Sequence, residues 1–293
     1  MTVNLGCDLP YFREASEIRD FAQAAEELGY DVLNFSEHVA ATTDSAFPPG
    51  FAFEDPWHES MTLAAYLAGV TRHIGISTSM YLLPLRPTVL AAKQAAEVDL
   101  LTGGRLRLGV AVGWNEREVE CLGQDPRTRG ARFEEQIEVL RMLWTQPEVT
   151  YTGVFHALHG VGIHPRPDRG IPVWIGAGGF ATGGVPSDRL LRRIARIGDG
   201  YKMFAPLGLD EDAAVGVVER LRRFTGEAGR DPAALGIEAR LLAQAVPEDE
   251  WRDVVARWAA RGVTHIGLGN RIAGGSVTEQ VKLIERVARV VRC

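Results

Sequence analysis

A chain of 293 residues with 46% hydrophobic and 24% charged side chains has the composition of a soluble globular protein, long enough to bury a large core, which excludes wholesale disorder. Its 38 acidic residues outnumber its 32 lysines and arginines, and the net charge of −6 gives no electrostatic reason for a nucleic-acid or anionic-membrane partner. Cys7, Cys121 and Cys293 are too few and too scattered for a disulfide framework or a zinc cage, and they suit a reducing, cytoplasmic compartment.

No apolar run approaches the roughly 18 residues of a membrane span, and Asp8 and Arg13 interrupt the first apolar stretch, so no signal peptide is expected. Val3 to Cys7 reads as a short strand. Ile18, Phe21, Ala22, Ala25 and Leu28 then share one face of a helix, with Ser16 the expected N-cap and Gly29 its terminator. Asp31 to Phe35 follows as a strand, Trp57 to Gly69 as a helix, Ile74 to Met80 as a strand, and Pro87 to Leu101 as a helix with proline in its first turn. Leu106 to Val112 is the fourth strand.

The second half repeats the alternation. Phe133, Ile137, Leu140 and Trp144 lie on one helical face, Pro172 to Ala177 is a strand, and Leu190 to Ile197 a helix. Gly200 to Phe204 and Ile237 to Leu242 are strands on either side of a helix at Glu211 to Phe224. Trp251, Val254, Val255 and Trp258 mark a further helix, and Thr264 to Leu268 the last strand. Ser276 and Glu279 form a capping box that opens a final helix.

Eight strand–helix units at about 37 residues each argue a parallel sheet, and they fit a closed (β/α)8 TIM barrel better than an open doubly wound sheet. The open sheet also lacks its Gly-rich dinucleotide turn after the first strand. The chain reads as a single domain over residues 1–293, with two long connections, Ala40 to Pro56 and Thr145 to Arg169, expected as loop insertions at the C-terminal face.

Barrel enzymes carry their chemistry at the C-terminal ends of the strands. There the sequence places Glu37-His38, a carboxylate beside an imidazole, able to serve as proton donor and electrostatic partner. It also places Ala177, Gly178 and Gly179 before a helix, where small residues let backbone N–H groups approach a phosphate. Trp57, Tyr81 and Trp114 are candidate aromatic walls for a planar ligand, the first two assigned to the substrate. His156, His159 and His164 have no nearby cysteine, so no metal site is expected. No G-x-S-x-G elbow or P-loop anchors a hydrolase or kinase reading.

The stretch TLAAYLAGVTRHIGISTSMYLLPLRPTVLAAKQAAEVDLLTGGRLRLGVAVGWN, with LGYDVLNFSEHV, RFEEQIEVLRMLW, IPVWIGAGG and RRIARIGDGY, resembles the luciferase-like flavin and deazaflavin oxidoreductases. The similarity runs from Val3 to about Phe204 and itself implies the (β/α)8 barrel. It implies hydride transfer between coenzyme F420 and a small organic substrate, with an FMN-dependent monooxygenase as the alternative, and a homodimer. The cofactor ring is expected at the barrel mouth against a bulge in the third strand. In deazaflavin-dependent members that bulge holds a non-prolyl cis peptide, which the match places at Ser79-Met80. The resemblance makes His38 the proton donor and Glu37 its partner. It sets Gly113, Trp114 and Asn115 beside the ring, and Ala177, Gly178 and Gly179 at the cofactor phosphate. Phe180 to Pro186 is a Gly-rich insert where relatives carry a short Asn- or Ser-containing turn.

Overall fold

The computed structural model describes residues 3–43, 52–178, 184–203, 211–269 and 275–292. In chain order the main elements of the first half are β1 (Asn4–Asp8), α1 (Ala15–Glu27), β2 (Val32–Phe35), α2 (Ser60–Val70), β3 (Gly75–Thr78), β4 (Tyr81–Leu82), α3 (Thr88–Leu101), β5 (Leu106–Ala111), α4 (Glu116–Cys121) and α5 (Arg129–Thr145). A hairpin of β6 (Val149–Thr152) and β7 (Ala157–Val161) precedes β8 (Val173–Ala177), α6 (Asp188–Ile197), β9 (Gly200–Met203), α7 (Glu211–Glu227), β10 (Gly236–Leu242), α8 (Trp251–Ala260), β11 (His265–Gly269) and α9 (Val277–Arg292).

The sheet runs β3-β2-β1-β11-β10-β9-β8-β5-β4, all parallel, and the pairing of β3 with β5 closes it into a barrel. β3 and β4 are two halves of one stave. Ile76 pairs with Leu106 below a break and Tyr81 with Val110 above it, so five steps along this stave oppose four along β5. One extra residue makes a bulge at Ser79 and Met80.

Strand alternation divides the core in two. Leu33, Ile76, Leu108, Val173, Ile175, Ile237 and Leu268 are buried in the apolar core that also holds Phe21, Leu67, Ala95 and Leu143 of the helices. The lumen is polar. Asn34 of β2, Ser77 of β3, Arg107 of β5, Lys202 of β9 and Glu238 of β10 are all buried and meet one another across the barrel. Burial holds the Lys202 ammonium down at about 7 despite Glu238. Burial acts to raise the Glu238 carboxyl, but Lys202 and Arg107 override it and keep it at about 2. Trp174 underlies this network: Arg107 stacks 4.3 Å above its ring, and a side chain at Gly200 or Gly236 would overlap it.

Helix starts shift from the sequence expectation. The cap of α1 is Glu14, whose N–H donates to Glu17 at 3.4 Å, rather than Ser16, which lies inside the helix. α2 begins at Ser60, capped by Glu59 through the Thr62 N–H at 2.8 Å, so Trp57 stands in the preceding loop. The Ser276-Glu279 box forms as expected, Ser276 N–H donating to Glu279 at 2.8 Å. Of the two long connections, the second joins α5 to β8 and therefore starts and ends at the N-terminal end of the barrel. Its hairpin reaches up to the start of α3, where His156 bonds Thr88 at 2.6 Å and Glu135 at 2.8 Å.

Candidate active site

The bulge shapes the barrel mouth. The Ser79-Met80 peptide is cis. Ser79 N–H donates to Phe35 O at 2.6 Å, and the Thr78 hydroxyl exchanges hydrogen bonds with the Gly109 backbone at 2.7 and 2.9 Å. A Cβ on Gly176 would lie 2.7 Å from Met80 Sδ, so the methionine side chain reaches over the glycines of β5 and β8 and roofs the lumen. At the rim, Arg240 of β10 donates to Asp8 of β1 at 3.0 Å, a pair the sequence reading did not single out.

His38 stands just beyond β2. Its Nδ1 lies 2.8 Å from Glu118 Oε2, and Glu118 Oε1 accepts the N–H groups of Val39 at 2.6 Å and Ala40 at 3.3 Å. Glu118 is only 1% exposed. The His38 ring meets Trp57 edge-on at 4.8 Å and Trp114 at 5.6 Å, and Tyr11 packs on Trp57 at 4.2 Å. Tyr11, Trp57, His38 and Trp114 thus form a continuous aromatic wall drawn from three strand–helix loops. Its outer end is open, for Trp114 is 45% exposed.

The carboxylate beside this imidazole is therefore Glu118, and the pairing of His38 with Glu37 expected from adjacency is corrected. Glu37 turns to the other side of the strand end. Its oxygens accept from Ser60 N–H at 2.9 Å, Leu82 N–H at 2.9 Å and Arg86 at 2.7 Å, which ties α2 and β4 to β2. Burial pushes its carboxyl upward, against the pull of Arg86 and the two backbone donors.

Tyr81 also departs from expectation. It is wholly buried beneath the Arg86 guanidinium, 4.0 Å from its ring, and so walls no open cleft. Asn115 is buried as the cap of α4, accepting from Arg117 and Glu118 N–H at 3.1 and 3.3 Å, and Gly113 supplies the turn before it with a φ of 80°. Gly178 has a φ of 89°, and a side chain there would overlap the Gly184 carbonyl, so the chain's own crossing demands glycine. The Ala177 carbonyl accepts from Tyr201 Oη at 3.2 Å. Gly179 and residues 180–183 lie outside the described residues. Among the described residues no group of three or more His, Cys, Asp or Glu is placed to hold a metal.

The family model of luciferase-like monooxygenases matches residues 4–286 of this barrel. The chain belongs to that family. An uncharacterized protein of Mycobacterium tuberculosis is 30% identical over 287 residues, covering 93% of each chain. An F420-dependent glucose-6-phosphate dehydrogenase of Kineococcus radiotolerans is 28% identical over 198 residues, covering 66% of this chain and 54% of that enzyme. Among solved structures, the monooxygenase RslO1 from Streptomyces bottropensis has a TM-score of 0.79 at 18% identity, covering 99% of this chain and 98% of that one, a likeness of fold. As a luciferase-like enzyme the chain is an oxidoreductase or monooxygenase.

Signals for Glu118 existed in the sequence. It stands three residues after Asn115, the spacing of a helix cap and its first turn, but nothing local ties it to a histidine 80 residues earlier.

Proposed function

We propose that this luciferase-like chain is an F420-dependent oxidoreductase that transfers a hydride between the deazaflavin and a small organic substrate, with His38 handling the accompanying proton. The observation that carries the reading is the His38 imidazole held at the barrel mouth between Trp57, Trp114 and Glu118. The similarity to an F420-dependent dehydrogenase supports the choice of cofactor.

The residues present fit a flat ring. The bulged backbone at Ser79 and Met80, the turn at Gly113 and the exposed Trp114 would hold the ring, and the strand end at Ala177 and Gly178 would hold its phosphate-bearing arm. When bound, the cofactor supplies or takes up a hydride. The protein then orients the substrate beside the aromatic wall, excludes water and moves one proton at His38. The family's description favours a second reading, an FMN-dependent monooxygenase working in the same mouth.

Absorbance and fluorescence titrations with F420 and FMN test the cofactor: tighter binding of F420 is expected, and micromolar FMN binding without an F420 response reverses the order. His38→Ala should lower turnover by roughly 10²–10⁴-fold while sparing cofactor affinity. Unchanged turnover would remove His38 from the reaction.

A further inference from the structure

We infer that Glu118 is a positioning residue that fixes His38 in the tautomer protonated on Nδ1, so that proton exchange with the substrate takes place at Nε2. The inference rests on the reading of His38 as the proton-handling group, and it adds the atom at which the proton moves.

Two backbone N–H donors and one imidazole nitrogen converge on this one carboxylate. Val39 and Ala40 N–H approach Oε1 at 2.6 and 3.3 Å, and the imidazole Nδ1 approaches Oε2 at 2.8 Å. A carboxyl group is ordinarily ionised at neutral pH, and an ionised carboxylate can only accept. The nitrogen facing it must therefore carry a hydrogen. In the neutral ring that leaves the lone pair on Nε2.

Nor does the carboxylate depend on His38 for its own orientation. The two backbone donors after β2 hold Oε1, and Asn115 Oδ1 fixes the backbone at the start of α4 by accepting from Arg117 and Glu118 N–H at 3.1 and 3.3 Å. The ring is held from the sides as well, with Trp57 and Trp114 meeting it at 84° and 79°. An imidazole gripped in this way gives up little rotational freedom when a reacting atom arrives. Trp114 and Glu118 also stand on one short segment, so a ligand resting on the exposed indole touches the same turn that anchors the histidine.

The test is long-range proton–nitrogen correlation NMR on the whole protein labelled with ¹⁵N-histidine, at about pH 9 where imidazoles are neutral. His38 is assigned by the signal missing from His38→Gln. In the wild type the Nδ1–H form should exceed the Nε2–H form by roughly tenfold or more, the preference a hydrogen bond to a charged acceptor supplies. In Glu118→Gln the amide oxygen must serve Val39 and Ala40, which turns the amide NH₂ toward Nδ1 and should reverse the ratio. A wild-type ring protonated on Nε2, or a ratio unmoved in a folded Glu118→Gln, overturns the inference. Should that variant fail to fold, the wild-type spectrum alone decides. Loss of the tautomer preference and loss of the His38→Ala effect on turnover are separate results, so the failure of one reading is not mistaken for failure of the other.

Discussion

Glu238→Gln probes the charged lumen. Glu238 is the buried anion between two buried cations: Arg107 reaches it at 2.6 Å and Lys202 at 3.6 Å, and all three are nearly inaccessible to water. Removing the negative charge leaves both cations hydrogen-bonded only to neutral side chains, Asn34 and Ser77, with the more distant Asp8 the remaining anion acting on Lys202. Breaking a buried ion pair from one side costs about 3–5 kcal/mol. Here the loss depends on pH, because Lys202 already sits at about 7, below the ordinary 10.5, through burial. Between those values the unfolded chain holds the extra proton, so this group's contribution to stability rises as pH rises through the window. Without Glu238 the folded value drops further, and the lysine escapes its penalty by losing its proton. Urea unfolding followed by circular dichroism should therefore show a loss of about 3–5 kcal/mol at pH 6 and roughly half that at pH 9, where only Arg107 remains uncompensated. Adding Lys202→Met to the variant should recover part of the loss at pH 6. A loss under about 1 kcal/mol at pH 6, or equal losses at the two pH values, would refute this account of the lumen.

His265 is held down at about 4 by burial and by Arg107, so the unfolded chain binds a proton first. Stability should fall as pH drops from about 6.5 to 4, by on the order of 3 kcal/mol at most, and His265→Gln should flatten that slope in urea midpoints. Gly236→Ala drives a methyl into the Trp174 indole and should cost about 1–3 kcal/mol, whereas Gly69→Ala on α2 meets open space and should stabilise by about 0.5–1 kcal/mol; thermal unfolding reads both. Trp114→Ala, at an exposed ring, should leave thermal stability nearly unchanged while weakening ring-cofactor binding in a fluorescence titration.

Local periodicity was enough to lay out this barrel. The switch from period two to period 3.6 in units such as Asp31 to Phe35 followed by Trp57 to Gly69 depends only on which face of each segment is apolar, and that is written within a few residues. The Ser276-Glu279 box was legible for the same reason, since both partners lie within one helical turn. The bulge at Ser79-Met80 came from the family pattern, not from spacing, whereas Glu37-His38 stood out by its place at the end of the second strand. Closure of the sheet decided the rest. It arranged β2, β5, β9 and β10 around one lumen, so Asn34, Arg107, Lys202 and Glu238, far apart in sequence, became a single charge network. It also decided which way the neighbours Glu37 and His38 leave the end of β2. The first goes to Arg86 and the second to Glu118, and only the packed barrel supplies what each of these neighbours meets just past the strand.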